Sequence, residues 1–203
     1  MNLSSIFKKQ PTLAKESEDN LIKGCVGWDR RAQNDLYNLF ASKMFAVCYK
    51  YSANREEAED TFHESFMKVF ENIQHFKKIG SLEGWIRRIM VNTAIEKYRK
   101  NSHMQIVRMD DHHNGYLEFN DYNANDILSQ IEAAELLKLI HNLPPQYKLV
   151  FNLYEFEGYK HKEIAEKLGI SVGASKSNLS RAKAILQRAV NKEKYFREEI
   201  SKI

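Results

Sequence analysis

Glycine and proline are scarce in this chain, at 8 and 3 among 203 residues, and valine and threonine form few runs. That scarcity argues against a many-turned all-β fold, a collagen-like repeat and a Gly-rich nucleotide loop. Cysteine is scarcer still. Cys25 and Cys48 stand without any CxxC or Cys/His ligand spacing, so no disulfide framework is expected. They read as buried thiols of a reducing compartment. No apolar run nears the roughly 18 residues of a membrane span. Residues 1–20 are polar and lack the apolar stretch and cleavage site of a signal peptide, so a cytoplasmic protein without membrane insertion is expected. The rest is 43% hydrophobic and 11% aromatic, which excludes wholesale disorder. Mostly helix is the expectation.

The net charge of +4 conceals segregation. Residues 109–137 carry seven acids (Asp110, Asp111, Glu118, Asp121, Asp126, Glu132, Glu135) and no Lys or Arg. Residues 160–194 carry nine basic side chains against three acidic ones, a net of +6, and residues 83–101 carry five against two, a net of +3. Two basic segments on either side of an acidic one imply two surfaces that face a polyanion. The Asn-rich stretch 101–125 has no sustained apolar periodicity and reads as a linker. Its His112-His113 pair beside Asp110 and Asp111 is too unspecific to call a metal site. The expected organisation is all-α: a flexible N-terminal segment (1–17), a helical domain (18–102), an acidic flexible linker (103–125), a second helical domain (126–194) and a tail (195–203).

In the first domain, two amphipathic helices flank a turn near Gly27–Arg31. The run Ser52–Glu57 supplies cap residues and then acids for a third helix. Its Ala58, Phe62, Phe66, Val69, Phe70, Ile73 and Phe76 form a buried stripe. Asp60, His63 and Glu64 fall off that stripe, as a solvated face or as a docking surface for a basic partner. Ser81 can cap a further helix from about Leu82 to Lys100, in which Trp85, Ile89, Ala94, Ile95 and Tyr98 can pack. Aromatics beside Lys77, Lys78, Arg87, Arg88 and Arg99 are the ingredients of a single-strand site, although core packing explains Phe76 and Trp85 equally well.

In the second domain, Pro144-Pro145 breaks one helical stripe and starts the next, and Gly158 stops it. The segment from His161 to Lys183 has the form of a helix-turn-helix. Ile164, Ala165 and Leu168 point inward, Gly169 permits the turn, Ile170 plugs the space between helices and Ser171 caps the second helix. With Leu179, Ala182 and Leu186 on one side, Lys176, Ser177, Ser180, Arg181 and Lys183 are available to the other. That is the arrangement that reads a major groove.

These residues together resemble bacterial RNA polymerase sigma factors of the extracytoplasmic-function (ECF) group. The signals of its region 2 are Ala58-Glu59-Asp60, His63-Glu64, Phe66, Phe76, Trp85–Ile89, Asn92 and Arg99-Lys100. The signals of its region 4 are Leu143-Pro144, Glu157-Gly158, Glu163–Ala165 and Ser177–Ala182. The resemblance implies that Asp60, His63 and Glu64 bind core RNA polymerase. It implies that Phe76, Lys77, Lys78, Ser81, Arg88, Asn92 and Arg99 hold the unpaired −10 strand, and that Lys176, Ser177, Ser180, Arg181 and Lys183 contact the −35 duplex. It further implies an anti-sigma factor as partner, no cofactor or metal, and no catalytic residue, the polymerase doing the chemistry. The chain departs from the family pattern at His63 (usually Gln), Glu96 (often Asp), Lys160 (usually a Ser or Thr cap) and Ser175 (commonly Val). Two other classes compete with this reading. A conventional duplex-binding regulator would not need the Asp60/Glu64 face or the single-strand features. A nuclease would need its acids to converge, and here they lie in the linker or along helix faces.

Overall fold

The computed structural model describes residues 15–105 and 136–200, and every regular element among them is a helix. The N-terminal unit contains α1 (Lys15–Val26), α2 (Arg30–Tyr51), α3 (Arg55–Asn72), which tightens into a 3₁₀ turn over Ile73–His75, and α4 (Leu82–Gln105). The C-terminal unit contains α5 (136–141), α6 (Pro145–Glu155), α7 (His161–Leu168) and α8 (Val172–Ile200).

Local chemistry sets most helix starts. Asp29 caps α2 by accepting from the Arg31 N–H at 2.8 Å. Asn54 caps α3 by accepting from the Glu57 N–H at 2.8 Å, while Glu57 reaches back to the Ala53 N–H at 2.6 Å. One orphan donor of the first turn, and the N–H just before the cap, are thereby satisfied. Ser81 accepts from the Gly84 N–H at 3.1 Å, as its position before α4 predicts.

The α3 stripe holds except at Phe70, which is half-buried: Ala58, Phe62, Phe66, Val69, Ile73 and Phe76 are buried, and Tyr37 of α2 packs its ring against Phe62 and Phe66. In α4 the inward face differs from the expected one. Leu82, Ile86, Met90 and Val91 are fully buried along with Ala94 and Ile95, whereas Trp85, Ile89 and Tyr98 are half-buried on its flank. The helix is rotated because α2 and α3 both pack on it, and the unbranched Met90 fits against the Cys48 thiol at 3.6 Å. Cys25 and Cys48 are both free and buried, and burial pushes their thiols up to about 11 and about 12.

The C-terminal core joins Ile140, Leu143, Leu149, Val150 and Leu153 to Ile164, Leu168, Leu179, Ala182 and Leu186. Each such side chain taken out of water contributes roughly 1.5–3 kcal/mol. Gly158, at φ 72°, ends α6 with the Tyr159 N–H on the Leu153 carbonyl at 3.0 Å, a left-handed closure that suits glycine. The two units are packed together, α6 against α2 and α7 against α4.

Some expected boundaries shift. Helix α1 begins at Lys15, inside the segment 1–17 read as flexible, and α8 runs on to Ile200, through most of the expected tail. Of the expected linker, 103–105 belong to α4; the rest, with the His112-His113 pair, lies outside the described residues.

Candidate nucleic-acid interface

The helix-turn-helix is formed by α7 and α8. Gly169 at φ 66° closes α7, and the Ile170 N–H returns to the Ala165 carbonyl at 3.0 Å. Ile170 packs on the core, and Ser171 caps α8 by accepting from the Ala174 N–H at 3.0 Å. Lys160 has no side-chain acceptor to offer α7. Glu163 compensates by accepting from the Lys160 backbone N–H at 2.8 Å. Ser175 is buried and hydrogen-bonded to His161 at 3.0 Å, so a polar contact stands where the family has an apolar one.

Along α8, Ser175, Asn178, Leu179, Ala182 and Leu186 are buried, while Lys176, Ser177, Ser180, Arg181 and Lys183 are all exposed. The predicted side chains therefore share one outer arc of the helix. Its flanks are tied back to α6. Arg181 donates to the Tyr147 hydroxyl at 3.2 Å, and Lys183 pairs with Glu155 at 2.8 Å beside the Tyr154 ring. Lys176, Ser177 and Ser180 form the open middle of the arc.

The second candidate surface lies on the N-terminal unit. Lys77, Lys78 and Ser81 are exposed in the loop before α4, and Lys78 pairs with Asp19 at 2.6 Å. Phe76 is not on that surface. It is 8% exposed and packs on Trp85 at 5.5 Å, because it closes the α3 stripe. In this structure it serves the core rather than the exposed surface expected of it. Instead, the loop presents Ile79, which is 86% exposed between Lys78 at φ 57° and Gly80 at φ 90°. Sequence reasoning passed over Ile79; an apolar residue inside Lys-Lys-Ile-Gly-Ser, with no helical periodicity, was the available signal. On α4, Arg88 and Arg99 are exposed and Asn92 is half-buried, and α7 touches the last two. Lys167 donates to Asn92 Oδ1 at 3.2 Å, and Arg99 donates to the Glu166 carbonyl at 3.0 Å.

The outer face of α3 is the third surface. Asp60 and His63 are exposed, and Met67, 58% exposed, continues their line one turn on. Glu64 is partly committed within the chain. Partial burial opposes its ionisation, but Lys68 at 3.0 Å and Lys97 at 3.4 Å hold its carboxyl below the usual carboxylate range.

Comparison with known families decides what these surfaces belong to. The sigma-70 region 2 model matches residues 36–104, and the sigma-70 region 4 model matches residues 133–186. The chain belongs to the ECF group of RNA polymerase sigma factors. Among its relatives is the ECF RNA polymerase sigma-E factor of Haemophilus influenzae, 28% identical over 181 residues, covering 86% of this chain and 95% of that protein. ECF RNA polymerase sigma factor SigE of Mycolicibacterium smegmatis is 26% identical over 161 residues, covering 79% of this chain; the match spans only 60% of that longer relative. Among solved structures, the sigma factor RpoE of Bartonella quintana, crystallised with the anti-sigma factor NepR, is 19% identical with a TM-score of 0.49 over 78% of this chain and 96% of that one. Within the sigma factor, α3 and α4 fall in region 2 and the helix-turn-helix in region 4. No described helix is long and apolar enough to cross a membrane.

Proposed function

We propose that this sigma factor binds core RNA polymerase through the outer face of α3, holds the melted −10 strand on the 77–81 loop and the Arg88 side of α4, and reads the −35 duplex with the start of α8. The observation that carries this is the outer arc of α8, where Lys176, Ser177, Ser180 and Arg181 all reach solvent behind an intact cap and over a fully packed inner face. A helix presented in that way enters the major groove by its N-terminal residues, with cations toward phosphates. Extruding a base from the −10 duplex costs a few kcal/mol, which the exposed Lys77, Lys78 and Arg88 offset through the backbone. An anti-sigma factor is the regulatory partner that membership of this group implies.

Core binding is tested by pull-down with Asp60→Lys. Asp60 is exposed, so the fold should stand, whereas changing Glu64 would also break its pairs with Lys68 and Lys97. Loss of core binding with an unchanged circular dichroism spectrum is expected. Undiminished pull-down would remove the α3 face from the interface.

A further inference from the structure

The packing of the two units on each other includes a set of polar contacts, and these have a pattern. The last carbonyls of a helix have no partner within it. At the end of α2 and just beyond, the C-terminal unit supplies the missing donors. Asn152 Nδ2 donates to the Lys50 carbonyl at 2.7 Å, Lys148 Nζ to the Ser52 carbonyl at 2.8 Å, and His141 Nε2 to the Ala53 carbonyl at 3.1 Å. The His141 ring stacks on Tyr49 at 4.5 Å, and Lys50 sits over the Phe156 ring at 4.3 Å. A cation placed at a helix C-terminus also meets the favourable end of its dipole.

Beside these contacts lies one charged clasp. Glu157, whose side chain is only 10% exposed, takes both Arg87 Nε and Arg87 Nη2 at 2.7 Å and accepts from the Tyr51 hydroxyl at 3.2 Å. Gly158 turns the chain directly after it, which ends α6 at this spot. From the clasp the contact continues to α7, where Lys167 and the Glu166 carbonyl occupy Asn92 and Arg99.

We propose that Glu157 clasps Arg87 and Tyr51 to hold the free chain closed, and that closure withholds Asn92 from DNA. The proposal rests on the sigma-factor assignment of α4 for what closure withholds; the clasp itself does not. Hydrogen-bonded interfaces of this kind give back little on opening, because water replaces each partner. Opening exposes the strand-reading face together with the Tyr49 and Phe156 ring faces that the contact covers.

The test uses the full chain with spin labels at exposed Ser42→Cys and Gln187→Cys. Native Cys25 and Cys48 are buried, with thiols pushed up to about 11 and about 12, and stay unlabelled. The intact chain should give one narrow distance distribution. Glu157→Gln should shift the closed-to-open ratio by roughly tenfold to a hundredfold, broadening the distribution with helix content unchanged. The same variant should bind a fluorescein-labelled single-stranded 20-mer of mixed sequence more tightly. The charge-swapped pair Arg87→Glu with Glu157→Arg should close again. A distribution already broad in the intact chain, or unmoved by Glu157→Gln, overturns the clasp. Opening without a gain in single-strand affinity overturns the withholding of Asn92. Opening and tighter binding in a chain that drives no transcription with core polymerase would keep the clasp and sink the sigma-factor assignment.

Discussion

Alkaline pH should tighten the contact between the two units, and Lys148 sets the size of the effect. Its residue is 5% exposed, its ammonium rests on the Ser52 carbonyl at 2.8 Å and the His141 carbonyl at 3.3 Å, and Glu57 is the acid whose field reaches it. Burial pulls the lysine down from 10.5 to about 8. When the units part, it returns to water and its ordinary value. The closed state thus binds fewer protons than the open one between pH 8 and 10.5, and closure gains free energy as pH rises through that window. Below pH 8 both states are charged and closure carries the full desolvation cost. From pH 7 to pH 9 the gain for this one lysine is about 1.4 kcal/mol, roughly tenfold in the closed-to-open ratio.

Lys50, pulled to about 8 by burial and by Arg87, adds in the same direction. Tyr51 and Tyr159 oppose it only above pH 10, since both are raised there by burial and stay protonated longer when packed. His141, lowered by burial and by Lys148, is neutral throughout the window. The spin-label distances of the intact chain, followed from pH 7 to pH 9, measure the closed fraction, and Lys148→Met should flatten the dependence to what Lys50 leaves. A closed fraction that falls over this range, or a Lys148→Met chain with an undiminished slope, would refute the reasoning.

Three further outcomes follow from the site and the core. Arg181→Ala should relax −35 discrimination by about 1–3 kcal/mol in a binding assay across promoter variants; a uniform weakening with a salt slope smaller by about 1 would move its contact to phosphate. Ser171→Ala removes the hydroxyl that accepts from Ala174 and should cost about 1 kcal/mol, seen as a lower melting temperature and faster amide exchange at the start of α8. Ile86→Ala, at a fully buried position, should cost about 2–5 kcal/mol in chemical denaturation.

The helix-turn-helix was legible because every feature that makes it is local. Gly169, Ile170 and Ser171 lie in consecutive positions, and the inward spacing of Leu179, Ala182 and Leu186 repeats within one helix. The α3 stripe was legible for the same reason. In α4 the expected inward set of Trp85 and Ile89 gave way to Leu82, Ile86 and Met90, since apolar residues surround much of that helix and only its neighbours choose the face. Phe76 could have been core or surface on its sequence, and its contact with Trp85 settles it as core. The clasp had no local trace at all. Glu157 and Arg87 are 70 residues apart, and a Lys148 or Asn152 side chain that is buried contradicts residue averages until its carbonyl partner is known.

Run-off transcription with purified core RNA polymerase over a library of promoter sequences tests the central claim most directly. Initiation should depend on adding this chain, should start downstream of a shared pair of −35 and −10 elements, and should fail with Asp60→Lys. Transcripts that arise equally from core polymerase alone, or start sites unrelated to any shared element, would contradict it.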